Sequence, residues 1–172
     1  MASIERTYEV IHAIASGLEG AVLDCMGSNA GVVSDMVREQ LYSGVDGKGD
    51  YLSPTYDDDP YFNERGPWYR RSGAYKRWKE KITPPERSSI LNLPPRPVEV
   101  PNLFITGPFH QSIKAEVQGD HMTVFTSGFR DGPLIERKYG ADIFSLGVKA
   151  REYFVGDLLR PYLQRFFKEC GY

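Results

Sequence analysis

Acidic, basic and thiol side chains fall in a few clusters where chemistry could be built. Asp46, Lys48 and Asp50, followed by Asp57, Asp58 and Asp59, hint at a calcium loop. Such a loop needs oxygen ligands at its first, third and fifth positions and a glutamate at its twelfth. Here Lys48 takes the third position and Leu52-Ser53-Pro54 interrupts the continuation, so a solvated turn is the plainer reading. His12, His110 and His121 fit no zinc spacing, and Cys25 and Cys170 have no nearby ligand in sequence. G-x-S-x-G, phosphate-loop and G-x-G-x-x-G motifs are missing. Glu136 with Lys138 and Tyr139, or His110 alone, could serve a small hydrolase. The ordinary roles are a polar loop for the first group and a structural hydrogen bond for His110. The sequence therefore offers no catalytic, cofactor-binding or metal-ligating residue.

A second cluster is more distinctive. Residues 65–81, RGPWYRRSGAYKRWKEK, hold seven basic side chains against Glu80, a local charge of +6. Aromatic rings interleaved with cations can stack bases and neutralise phosphates, so nucleic-acid binding is one reading. The acidic triplet Asp57, Asp58 and Asp59 lies just upstream, however, and could pair with this patch inside one molecule or across a subunit boundary. Protein contact is the favoured reading. Its candidate residues are Tyr56, Asp57, Asp58, Asp59, Tyr61, Phe62, Trp68, Tyr69, Arg70, Arg71 and Trp78, because aromatic and arginine side chains anchor interfaces.

These residues lie in a long segment, 44–101, that lacks periodicity. Its prolines at 84, 85, 94, 95, 97 and 101 forbid helix and favour an extended path, apart from a short helix over 74–82. An ordered loop of this length is unusual inside a compact domain. It reads as an arm that wraps a neighbouring subunit, or else as a flexible insertion.

The flanking elements are clearer. Ser3 can cap a helix with apolar positions Ile4, Tyr8, Ile11, Ala15, Leu18 and Val22, weakened at Gly17 and Gly20. After a turn at 26–29, a second helix capped by Ser28 or Asn29 runs to Ser43, with Val33, Met36, Val37, Gln40 and Leu41 as its buried stripe. Residues 112–117 and 121–126 alternate apolar and polar around Gly119, the pattern of a β-hairpin, with Ile113, Val117 and Val124 facing the core. Residues 130–133 follow as a polar loop, and Leu134-Ile135 leads into 136–140, where Glu136, Lys138 and Tyr139 read as a polar loop that fixes the hairpin against the helices. From Gly147 to Cys170, two adjacent apolar rows predict a long core-packing helix with Leu158, Leu159, Tyr162 and Phe166 buried, kinked or restarted at Pro161.

The whole is one domain, 1–172, of α+β class: a small antiparallel sheet packed against N-terminal helices and a long C-terminal helix, with an extended arm. Its 172 residues, 41% hydrophobic and 26% charged, can bury a sizeable core. The net charge of −2 argues against a dedicated nucleic-acid binder. Two distant cysteines suggest free thiols in a reducing compartment. MASIERTYEV has no apolar signal core and no run approaches a membrane span, so a soluble protein made in a cytoplasm is expected.

The segments REQLYSGVDGKGDYLSPTY (38–56), YKRWKEKITP (75–84), PNLFITGPFHQSIKA (101–115) and IERKYGADIFSL (135–146) resemble virion proteins of tailed phages and prophages of Bacteroidales, including the crAss-like group. The similarity spans most of residues 30–150. The order of helix, TG-x-x-x-x-SI, hairpin and last helix is also similar to the neck or tail-completion proteins of long-tailed phages. The segment 44–100 is longer than the arm of that wider family. The resemblance implies a structural, non-enzymatic subunit of a head-tail connector or tail ring. It would form a homo-oligomeric ring, meet neck, portal or tail proteins, and reside in the virion after assembly in the host cytoplasm. No membrane contact and no cofactor are implied.

Overall fold

The computed structural model describes residues 3–172. Its elements run α1 (Ile4–Ser28), α2 (Ala30–Tyr42), α3 (Ser72–Ile82), α4 (Pro108–Ser112), β1 (Ile113–Gln118), β2 (His121–Thr126), α5 (Gly132–Tyr139), α6 (Val148–Tyr153) and α7 (Arg160–Glu169). The architecture is α+β, with one two-stranded antiparallel sheet among the described residues.

The core is centred on α2, which lies across β1. The stripe expected from its periodicity, Val33, Met36, Val37, Gln40 and Leu41, is buried throughout. Against it pack Ile113 and Ala115 from the sheet, Ile143, and Leu52, Leu91 and Val100 from the long irregular segment. In the hairpin, Ile113 faces Thr126 and Gln118 faces His121, closed by a two-residue turn with Gly119 at φ 65°. That φ suits glycine at the head of a tight hairpin turn. Ser112, expected in the strand, ends α4 instead. Val117 and Val124 are half-buried, so only Ile113 of the three expected core positions is fully enclosed. Residues 132–139 form α5 rather than a polar loop, with Pro133 in its first turn, where a missing N–H costs nothing.

The N-terminal elements depart from the expected pattern. Gly17 and Gly20 do not break α1, which runs unbroken to Ser28. Ser3 caps it as expected, its hydroxyl accepting from the Arg6 amide at 3.2 Å. Gly17 is instead a contact point: a Cβ there would stand 3.0 Å from the Phe166 ring. Asn29 alone separates α1 from α2, and its side chain donates back to the Cys25 carbonyl at 2.8 Å rather than capping α2. Once the glycines are accepted in one helix, α1 is long and apolar enough by length and composition to cross a membrane, its most apolar 18-residue window having a mean hydropathy of 1.3. This corrects the expectation that no run approaches such a span.

The C-terminal helix is continuous over 148–169 but changes register. Residues Phe154–Leu159 take the wider π form directly before Pro161. Proline lacks the amide for the helical bond and crowds the carbonyl four residues back, so a widened turn at this point relieves both. The expected burial is corrected: Leu158, Leu159, Tyr162 and Phe166 are only half-buried, and no residue of α7 is fully enclosed. This helix packs on α2 through Ala150, Tyr153 and Phe154 and on α1 through α7, and both of its apolar rows stay partly open to solvent.

Candidate interaction surfaces

The arm is the largest correction. Residues 44–101 fold back on their own chain, because their apolar side chains find partners there. Tyr56 and Phe62 are buried. Tyr75 on α3 sits at the centre of an aromatic cluster, its ring centroid 5.1 Å from Tyr56, 5.3 Å from Phe62, 5.1 Å from Trp68 and 5.3 Å from Trp78. Edge-to-face rings at such spacings add to the gain from area burial alone. The proline-rich stretch is tied down by Glu39 on α2. Its carboxylate accepts from the amides of Ser89 (3.0 Å), Ile90 (2.8 Å) and Leu91 (2.9 Å) and from the Ser89 hydroxyl (2.6 Å). Burial pushes the Glu39 pKa up, yet the hydrogen bonds outweigh it and hold the carboxyl below its usual value. Prolines suit this path because they need no amide partner.

One ion pair joins the acidic triplet to the basic stretch within the chain, and a second joins the triplet to α5. Asp57 meets Lys76 at 2.6 Å, and buried Asp59 meets Lys138 on α5 at 2.5 Å. Asp59 also caps the short turn Pro60–Asn63 by accepting from the Tyr61 amide at 3.0 Å. Asp58 accepts from the Thr55 hydroxyl at 2.8 Å. Trp68 and Trp78 are half-buried in the cluster, while Asp57, Asp58, Tyr61, Tyr69, Arg70 and Arg71 are exposed around it. Arg70 and Arg71 lie over the rings of Tyr69 and Trp68 at 5.1 and 5.8 Å. Of the expected contact residues, then, Tyr56, Asp59 and Phe62 belong to the chain's own interior. The six exposed ones remain available to a partner.

Beside this cluster opens a cleft of about 560 Å³, walled by Trp68, Trp78, Phe104, Phe109 and Tyr139, with Lys79 in its lining. Lys79 is 1% exposed. Its ammonium donates to Asn102 Oδ1 at 2.7 Å and to the Phe104 carbonyl, with no carboxylate partner. Burial, reinforced by the Arg96 charge, pushes its pKa down to about 7. His110 is also buried; its Nε2 bonds the Asn102 carbonyl at 2.9 Å and burial pushes its pKa down to about 4. Asn102 therefore joins α3, α4 and the cleft wall. Sequence reasoning missed Lys79, although Tyr75, Lys79 and Thr83 form an i, i+4, i+8 row that marks an inward face. Arg38 was missed too: it donates to the carbonyls of His110 (2.8 Å) and Ile113 (2.7 Å), fixing the joint between α4 and β1.

Around Asp46 the geometry is that of a closed turn. Its carboxylate accepts from the amides of Lys48 (2.8 Å) and Asp50 (3.0 Å), and Lys48 pairs with Asp142 at 2.6 Å. No cluster of three or more His, Cys, Asp or Glu suited to a metal is found among the described residues.

Two further surfaces are apolar. The first half of α1 stands clear of the body, with Ile4, Tyr8 and Ile11 exposed at 90, 67 and 61%. On the outer side of the C-terminal helix, a shallow groove of about 210 Å³ is lined by Val155, Leu159, Leu163 and Phe167, edged by Arg160 and Gln164. No protein family, curated protein or solved structure matches the chain.

Proposed function

We propose that this chain is a structural subunit of a tailed-phage neck or tail ring, assembling with copies of itself and with neighbouring portal or tail proteins in the virion. The observation that carries the reading is the free half of α1: a capped, regular helix whose apolar row Ile4, Tyr8 and Ile11 stands in water. Apolar rows of this kind mark surfaces that are covered in the working assembly. The residues of 38–56, 75–84, 101–115 and 135–146, which carry the resemblance to phage virion proteins, supply the setting.

An enzymatic role is the second reading, and the side chains it would use have structural partners or lie apart. His110 and Lys79 are spent on hydrogen bonds to Asn102 and Phe104, and Glu136 stands exposed on α5 outside the cleft lining. The nucleic-acid alternative also weakens, since Lys76 is paired with Asp57 and Lys79 is buried, which reduces the free charge of residues 65–81.

The test is localisation. Antibody-labelled electron micrographs of purified particles of the phage that encodes this chain should place it at the neck or tail. Particles lacking the chain, or salt-dependent DNA binding by the purified protein, would overturn the reading.

A further inference from the structure

We infer that the free half of α1 docks antiparallel into the groove on the C-terminal helix of a second copy of this chain, so that subunits join head to tail. The inference rests on the ring reading and names the two faces that make the ring contact.

The two faces are alike in chemistry and spacing. Ile4, Tyr8 and Ile11 form one apolar row at helical spacing, and Val155, Leu159, Leu163 and Phe167 form another that lines the groove on the C-terminal helix. Within one chain, α1 already packs beside α7, with Phe166 against Gly17 and Gly171 beside Val10. The C-terminus therefore ends alongside Val10, and residues 4–9 project past it. A neighbour's α1 would repeat the same kind of contact on the opposite side of the C-terminal helix.

They also match in charge. The free half of α1 carries Glu5 and Glu9 against Arg6, a net charge of −1. Residues 148–169 carry Lys149, Arg151, Arg160, Arg165 and Lys168 against Glu152, Asp157 and Glu169, a net charge of +2. The placement is more specific than the totals. Glu5 and Glu9 each follow an apolar residue of α1 by one position; Arg160, Gln164 and Lys168 each follow one of the groove. Two facing helices bring such equivalent flanks together when they run antiparallel, so the acidic edge meets the basic edge in that orientation.

The contact uses two different patches of one subunit, so a joined pair keeps one free donor helix on one copy and one free groove on the other. Heterologous contacts of this kind propagate until the rotation closes a ring.

The experiment uses the full-length chain and reads mass in solution by sedimentation and mass photometry. The wild type should assemble beyond the dimer. A variant with Ile4→Asp and Tyr8→Asp should be monomeric, because both positions are exposed and folding does not depend on them. A groove variant, Leu163→Asp, should also be monomeric while keeping its helical circular dichroism. Mixed together, the two variants should form dimers and nothing larger, since only one intact helix and one intact groove remain.

A second pair of variants avoids the half-buried groove. Glu9→Lys should weaken assembly roughly tenfold through like-charge contact, and adding Arg160→Glu should restore it. The inference is overturned if the wild type stays monomeric at about 100 µM, a hundredfold above a micromolar contact. Binding of that monomer to anionic phospholipid vesicles through α1 would overturn it in favour of a membrane surface. If both the Ile4/Tyr8 and Leu163 variants still form rings, these faces are wrong while the ring reading stands. If the wild type is monomeric and absent from particles, the ring reading falls too.

Discussion

Lys79 makes the stability of this protein depend on alkaline pH, and substituting it with methionine should remove that dependence. Its ammonium is enclosed by α3 and residues 101–104, hydrogen-bonded only to neutral acceptors, with its pKa pushed from 10.5 down to about 7. Between those values the unfolded chain binds a proton that the folded chain has released. Stability therefore rises with pH across this window and is lowest below it. At about 1.4 kcal/mol per unit, the change from pH 7 to pH 10 amounts to about 3–4 kcal/mol. The window lies above the titration of His110, whose pKa is pushed down to about 4. Its upper limit is set by tyrosines: burial pushes Tyr75 up to about 12 and raises Tyr56 and Tyr139 as well. Above about pH 10 the unfolded tyrosines ionise first, and their contribution is lost. Urea unfolding followed by tryptophan fluorescence reports the cluster directly. At a slope of about 2 kcal/mol per molar, the wild-type midpoint should rise by roughly 2 M from pH 7 to 10. Lys79→Met should flatten that rise. It also forfeits two hydrogen bonds worth about 1 kcal/mol each, so the variant should be the less stable at pH 10 and comparable or more stable at pH 7. A wild type whose stability is flat over this range, or a methionine variant that keeps the slope, would refute the reasoning.

Glu39→Ala should destabilise the fold by about 2–4 kcal/mol, since three backbone amides and a hydroxyl lose a charged acceptor. Because its carboxyl titrates below the ordinary value, the wild type keeps this contribution above pH ~4.3, and loses it on further acidification, as a urea series at pH 3–6 would record. Gly47→Ala should cost about 1–3 kcal/mol, because the new Cβ meets the Ser145 backbone carbonyl oxygen at 2.5 Å; thermal unfolding measures it. Leu159→Ala should cost about 1 kcal/mol in the isolated chain, below the roughly 2–5 kcal/mol of a fully enclosed leucine, because this site is half open to solvent. A loss above about 4 kcal/mol in the isolated chain would mean that the groove is core.

Local periodicity determined much of this protein. The buried stripe of α2, the hairpin at 113–126, the short helix around Trp78 and the disturbance before Pro161 follow from spacing alone, because each depends on contacts or dihedrals within a few residues. The α+β class follows from their order. Spacing could not say which side of an apolar pattern finds a partner. α1 shows the same kind of row as a core helix, yet Ile4, Tyr8 and Ile11 stand in water, because the body of the chain is too short to reach them. The C-terminal helix meets α2 through Ala150, Tyr153 and Phe154 and α1 through α7, and the apolar surface beyond those contacts stays open. The segment 44–101 reads as an arm in sequence because it lacks periodicity. Its order comes from contacts far along the chain, Glu39 with residues 89–91, Asp59 with Lys138, and Tyr75 with Tyr56. Lys79 shows the same limit from the other side. Its type places it at the surface, and only the closure of 101–104 over α3 buries it, giving this fold a cation whose protonation opposes its stability.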